Sequence, residues 1–349
     1  MTRWQWRWSV GLVSLVAFMA GACARPDAPP AVAVREAMLP LASGDSLWYG
    51  VMGSGPDTIV VVPGGPSLGH AYLTALVRPL AAEHAVLLYD PRGRGRSSPL
   101  SAASAGVSPM TDAADLEVLL DSLRLLRPAY VAHGYGAVVL GTLARRAPAR
   151  VRRAVLVAPE LGSPTAIYDL SSESMDSVAV KAYAADFRDS LFVRDEAEYC
   201  RRHWGFVFAP VEDVRPAVVQ ALADSACAGR STTRPTSTEG AAIKTSILTA
   251  YGATYTHWDA FTNAPAGILV VQGDADQLHR FWSRIWAASA RSGRMVEIRA
   301  ASGLFPWVEQ PAAVGTALRT FLAGEWPASA TTVPLELQRA ARSGENGAK

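Results

Sequence analysis

The chain has 349 residues, 50% hydrophobic and 18% charged, with 33 Lys plus Arg against 31 Asp plus Glu. That is chain enough for one large domain or two modest ones with a substantial core. The apolar fraction excludes wholesale disorder, and a formal charge of +2 without a basic run gives no electrostatic case for nucleic acid.

The first residues read as an export signal. Arg3 and Arg7 sit among Trp4, Trp6 and Trp8, and Val10–Ala20 is an apolar run too short for a comfortable membrane span. Small residues follow, Ala20-Gly21-Ala22-Cys23-Ala24. Cys23 after Ala-Gly-Ala resembles a bacterial lipoprotein box and is the expected lipidation site, making 1–23 the signal. Ala22-Cys23-Ala24 is alternatively an ordinary A-x-A cleavage site, and a retained N-terminal anchor is the third possibility. Either cut removes Arg3 and Arg7 and keeps Arg25, so the side-chain charge falls from +2 to zero. The expected location is the bacterial cell envelope, periplasmic or membrane-anchored, with the membrane touched only through the lipid.

Residues 24–40, rich in Ala and Pro at their start, read as a tether. Thr58–Val62 within Asp57–Pro63 is a β-branched run followed by glycines, the pattern of a buried strand. Leu68–Ala82 has helical spacing and Ala85–Tyr89 reads as a strand. Thr111 is the expected cap of a helix through Leu125, with Leu116, Leu119, Leu120 and Leu123 on one face. Strand 129–132, helix 137–146 and strand 154–158 follow, and strands 267–271 and 295–298 and helix 311–322 come later. This alternation implies an α/β fold, a mostly parallel sheet with helices on both faces. The core is expected over 41–160 and 265–325. The polar and aromatic span 161–264 reads as an inserted helical cap, and 326–349 as a loose tail.

Three cysteines are present. With Cys23 lipidated or removed, Cys200 and Cys227 remain as a candidate disulfide in an oxidising compartment, or as two separate buried thiols. No Cys/His cluster has zinc spacing, so neither a metal site nor a cofactor is expected.

Five segments carry the chemistry: Pro63-Gly64-Gly65-Pro66-Ser67, Asp90-Pro91-Arg92-Gly93-Arg94-Gly95-Arg96-Ser97, Val131-Ala132-His133-Gly134-Tyr135-Gly136-Ala137, Gly273-Asp274-Ala275-Asp276 and Gly303-Leu304-Phe305-Pro306-Trp307. Together they make residues 45–325 resemble an α/β-hydrolase of the proline iminopeptidase type. That resemblance implies a serine hydrolase whose nucleophile stands on a strained strand-to-helix turn, the Gly-x-Ser-x-Gly elbow. It also implies backbone oxyanion donors at Gly65 and Tyr135 and the acid of the triad at Asp276.

Two triad positions depart from the family. Gly134 stands where the elbow serine belongs, and Leu304 where the histidine belongs. Hydrolysis by the family route needs a hydroxyl to attack and an imidazole to carry its proton, and neither Gly nor Leu supplies one. Pro63 also replaces the His that opens the family's glycine loop.

Weaker substitutes are Ser67, with no base in evidence, His133 beside the elbow, and His279 three residues past Asp276. His70 reads as a capping or surface residue, and Asp90 and Arg92 as residues holding their loop. Glu196 and Glu198 are expected on a solvated helix face rather than reading a substrate amine. The leading expectation is a non-catalytic member of the family that binds a small apolar ligand or a protein partner in the former cleft, rimmed by Leu304, Phe305 and Trp307. An active aminopeptidase or esterase with displaced chemistry is the second reading, and a structural envelope lipoprotein the third. The oligomeric state is not legible.

Overall fold

A computed structural model describes residues 33–101, 106–160, 185–186, 188–208, 216–227, 238–251, 259–265, 267–274, 277–301, 304–334 and 336. The expected leader and Cys23 lie outside them. Nine strands form one sheet: β1 (Val34–Pro40), β2 (Ser46–Met52), β3 (Thr58–Val62), β4 (Ala85–Tyr89), β5 (Ala129–Gly134), β6 (Arg153–Pro159), β7 (Gly267–Gly273), β8 (Ser292–Ile298) and β9 (Thr331–Thr332). Their order is β1-β2-β4-β3-β5-β6-β7-β8-β9. β3 to β8 are mutually parallel, while β2 and β9 run against their neighbours.

The strand residues alternate between two core layers. Val60, Val62, Tyr130 and Ala132 face one side, and Ile59, Val61, Ala129 and Val131 the other. Burial on both faces explains why these segments read as continuous apolar runs. The long helices are α1 (Pro109–Ser122), α2 (Gly136–Arg146), α3 (Glu196–Phe208), α4 (Pro216–Ala226), α5 (Thr238–Tyr251), α6 (Gln277–Ala288) and α7 (Pro311–Leu322). α1, α2 and α6 pack on the first layer and α7 on the second, which gives the expected α/β sandwich.

The structure corrects four expectations. The tether expected over 24–40 becomes β1 at Val34, which pairs with β2 over seven residues. β1 is an exposed edge strand whose order comes from a partner twelve residues on, so local pattern does not reveal it. Leu68–Ala82 is not one helix but a 3₁₀ turn (Ala71–Leu73), one α turn (Thr74–Val77) and a second 3₁₀ turn (Arg78–Ala82). Pro79 has no N–H to donate back, while the stripe that suggested a helix, Leu73, Leu76, Val77 and Leu80, is still buried. Ser108, not Thr111, caps α1: its hydroxyl accepts from the Thr111 N–H at 3.1 Å, and the Thr111 hydroxyl accepts from the Ser108 N–H at 2.8 Å. Finally, the tail expected over 326–349 is ordered at its start. Trp326 lies 4.9 Å from Phe321 with the Arg294 guanidinium over it, and β9 pairs with β8.

α3, α4 and α5 lie between β6 and β7, inside the span read as a cap. Cys200 on α3 is bonded to Cys227, just past α4, with Cα atoms 6.0 Å apart. Glu198 pairs with Arg201 at 2.9 Å and Arg202 at 3.1 Å along the surface of α3. No helix among the described residues is long and apolar enough to cross a membrane.

Candidate functional site

β5 delivers the chain to a sharp turn. It ends at Gly134, Tyr135 intervenes, and α2 starts at Gly136. Gly134 has φ +51°, in the left-handed region that disfavours side chains. A Cβ on Gly134 would meet nothing closer than the Gly65 nitrogen at 3.7 Å and the Gly64 Cα at 3.8 Å, so space for a side chain exists. Its neighbours in the motif differ. A Cβ on Gly136 would lie 2.4 Å from the Val62 carbonyl oxygen, and one on Gly64 2.1 Å from that of His133. Those two glycines are required by close backbone approach, whereas Gly134 is favoured by its φ alone.

The loop after β3 forms the other wall. It turns through Gly65, whose carbonyl accepts from the Leu68 N–H at 2.7 Å. The Gly65 nitrogen lies 3.7 Å from the place where a Cβ on Gly134 would stand. Beneath both walls lies a buried ion pair absent from the sequence reading. Arg94, 1% exposed, donates to both carboxylate oxygens of Asp112 at 2.8 and 3.0 Å. Arg94 Nε also donates to the Pro66 carbonyl at 2.7 Å, and the Tyr135 hydroxyl donates to Asp112 at 2.8 Å. One ion pair thus ties the loop holding Gly65 to the residue that follows Gly134. Arg92 holds Asp115 through two 2.5 Å bonds, in keeping with its expected loop-holding role.

His133 is occupied on both ring nitrogens. The Gly64 N–H donates to the Tyr72 hydroxyl at 2.8 Å, so the Tyr72 O–H is free to donate to His133 Nδ1, also at 2.8 Å. Nε2–H then donates to the Leu304 carbonyl at 2.8 Å. This sequence fixes the neutral tautomer with hydrogen on Nε2. Burial holds the His133 pKa down to about 4, partly offset by the Leu304 carbonyl, and burial raises that of Tyr72. The ring is enclosed by Phe305 at 5.3 Å and Trp307 at 4.9 Å. His133 is a structural peg that pins the 304–307 loop across the sheet, with no nitrogen left for proton transfer.

The other sequence candidates fall as follows. Leu304 contributes its carbonyl to the peg and as a residue is 38% exposed. Phe305 and Trp307, expected at a pocket rim, are instead buried around His133; their apolar surface is satisfied by that packing. Asp276 lies outside the described residues, and so does the side chain of His279 at the start of α6. His70 is not a surface residue; it stands at the N-cap position of the 3₁₀ turn Ala71–Leu73, but its side chain caps nothing. It is buried and bonded to Asp90 through Nδ1 at 2.7 Å. Ser67 is buried and lines a cavity together with His70. No group of three potential ligands for a metal occurs among the described residues. Sequence reasoning misses Tyr72, Arg94 and Asp112. Arg94 lies within one of the five motif segments, but its partner is 18 residues away on another element.

Known proteins share this fold. A hydrolase from Pseudomonas aeruginosa is similar at 23% identity and TM-score 0.58, over 83% of this chain and 98% of that one. An esterase from Rhodococcus sp. aligns at 19% identity and TM-score 0.59, again over 83% and 98%. A proline iminopeptidase from Mycobacterium smegmatis aligns at 16% identity and TM-score 0.60, with the same coverage. At these identities the likeness shows the fold alone. A search of curated proteins found no match. The family profile described as the alpha/beta hydrolase family matches residues 59–317. With that span matched and the nine-stranded sheet and glycine elbow in place, the chain belongs to the α/β hydrolase family.

Proposed function

We propose that this protein is a non-hydrolytic α/β hydrolase, exported to the cell envelope, that binds a small apolar ligand or a partner group over the elbow at Gly134. The carrying observation is the elbow itself: a glycine at φ +51° where a Cβ would meet only ordinary contacts, the Gly65 nitrogen at 3.7 Å the nearest. The nearest described imidazole, His133, is committed to Tyr72 and Leu304. In serine proteases, loss of the serine or the histidine alone costs about 10⁶ in turnover, leaving roughly 10³ over water from binding and the oxyanion hole. A buried Arg94–Asp112 pair that still braces both walls suits a binding site that has kept its shape. Leu304, exposed at the position of the family histidine, gives that site an apolar element. Export rests on the leader, and the Cys200–Cys227 disulfide suits an oxidising compartment.

The test is turnover of aryl esters and aminoacyl arylamides by the wild type and by Gly134→Ser with Leu304→His. The wild type is expected to show no saturable turnover and the double variant to gain some. Wild-type turnover at ordinary esterase rates would refute the proposal. A mass shift on Cys23, lost in Cys23→Ala, tests the lipid anchor.

A further inference from the structure

A second built site lies beside the elbow. The Asp90 carboxylate is fully buried and accepts the His70 N–H at 2.6 Å, the Arg96 N–H at 2.7 Å and His70 Nδ1 at 2.7 Å. Gly69 and Gly95 pack directly on it, and a Cβ on either would lie 2.4 Å from a carboxylate oxygen. Because a carboxylate only accepts, Nδ1 carries a hydrogen, and in the neutral ring Nε2 presents a lone pair. The ring plane is set by stacking on Trp48, with centroids 4.2 Å apart.

His70 lines a cavity of about 120 Å³, together with Ser67, Leu68, Ala71 and, from the end of α4, Ser225 and Ala226. The Cys200–Cys227 bond ties α3 to the residue that follows Ser225 and Ala226 at the end of α4. Neither His70 Nε2 nor the Ser67 hydroxyl has a hydrogen-bond partner among the described residues. None of the described residues Gly65, Gly134 or Leu304 lines this cavity.

We propose that this cavity is a distinct site for a small neutral molecule whose head group both donates and accepts, such as a primary amide or an alcohol. The donor meets His70 Nε2, the acceptor meets the Ser67 hydroxyl, and the short apolar part lies against Leu68 and Ala226. A volume of this size holds several waters or a group of a few heavy atoms. Both groups are open to the cavity rather than sealed off, so a ligand able to pair with both makes good the water it displaces, which an apolar one does not. The charged groups facing His70 are Asp90, bonded to it, and the mutually paired Glu36 and Arg96; α4 contributes only uncharged Ser225 and Ala226.

The probe is propionamide, followed through the backbone amide NMR signals of Gly69 and Ala71 in the intact protein. Saturable shifts are expected with a Kd of about 1–10 mM. Binding should weaken at least about fivefold in Ser67→Ala, which removes one hydrogen bond. It should vanish in His70→Asn, whose side-chain amide still donates to Asp90 but has nothing in place of Nε2. Equal binding by wild type and His70→Asn, no saturable response, or propionate binding more tightly than propionamide would each overturn the proposal. Since Gly134 lies outside the cavity, failure here does not bear on the elbow.

Discussion

The contrast between Gly134 and Gly136 can be turned into paired measurements. Both positions receive the same replacement, alanine, two residues apart on one turn. At Gly134 the new methyl meets only ordinary contacts, the nearest at 3.7 Å, so the cost is conformational. A left-handed L-residue costs roughly 1–2 kcal/mol, partly offset by the lower entropy of the unfolded chain. The net loss is about 1 kcal/mol, or roughly 2–4 °C in melting temperature. At Gly136 the methyl would stand 2.4 Å from the Val62 carbonyl oxygen and 2.8 Å from that of Pro63. Both contacts are with backbone, so α2 has to move off β3. Such overpacking costs about 3 kcal/mol or more, well beyond the roughly 1 kcal/mol that alanine contributes in a helix. Urea and thermal unfolding followed by circular dichroism read both variants. If Gly134→Ala loses as much as Gly136→Ala, the elbow is closed rather than open and the reasoning fails.

Tyr72→Phe removes the link between the Gly64 N–H and His133 Nδ1 and leaves both buried groups without that partner; the expected loss is about 2–4 kcal/mol by urea denaturation, and a change below about 0.5 would contradict the relay. His133 is held neutral to about 4 against an ordinary 6.5, so the unfolded chain takes up its proton first. The sign follows: the group costs nothing above pH 6.5, and stability falls as pH drops towards 4, by up to about 3 kcal/mol. A histidine NMR titration showing His133 charged at pH 6 would refute this. Replacing Cys200 and Cys227 with serine opens a loop spanning 27 positions and is expected to lower stability by about 3–4 kcal/mol, roughly 10 °C in melting temperature; an unchanged melting point on reduction would count against a stabilising role for the bond.

Much of this fold is written locally. β3 to β7 are buried on both faces, so each declares itself as an apolar run, and the elbow declares itself through glycines that close backbone approach requires. What escapes local reading depends on distant partners. Val34–Pro40 is exposed at most positions and becomes a strand only by pairing with β2. His70 reads as a surface residue because Asp90 lies 20 positions away, and its burial comes from stacking on Trp48. His133 reads in the sequence only as a weak substitute catalyst beside the elbow; what makes it structural is a carbonyl 171 residues on. Arg94 and Asp112 are invisible in the sequence because a buried ion pair leaves no periodic trace. The glycine at the elbow, by contrast, is a single letter at a position marked by its neighbours.

The central claim is that the elbow keeps its shape without its chemistry. Labelling with a fluorophosphonate probe, read by intact-protein mass, tests it most directly. The mature wild type is expected to remain unlabelled, while Gly134→Ser with Leu304→His takes up one equivalent on the introduced hydroxyl in the turn after β5. Stoichiometric labelling of the wild type, mapped to any side chain facing the elbow, would contradict the account.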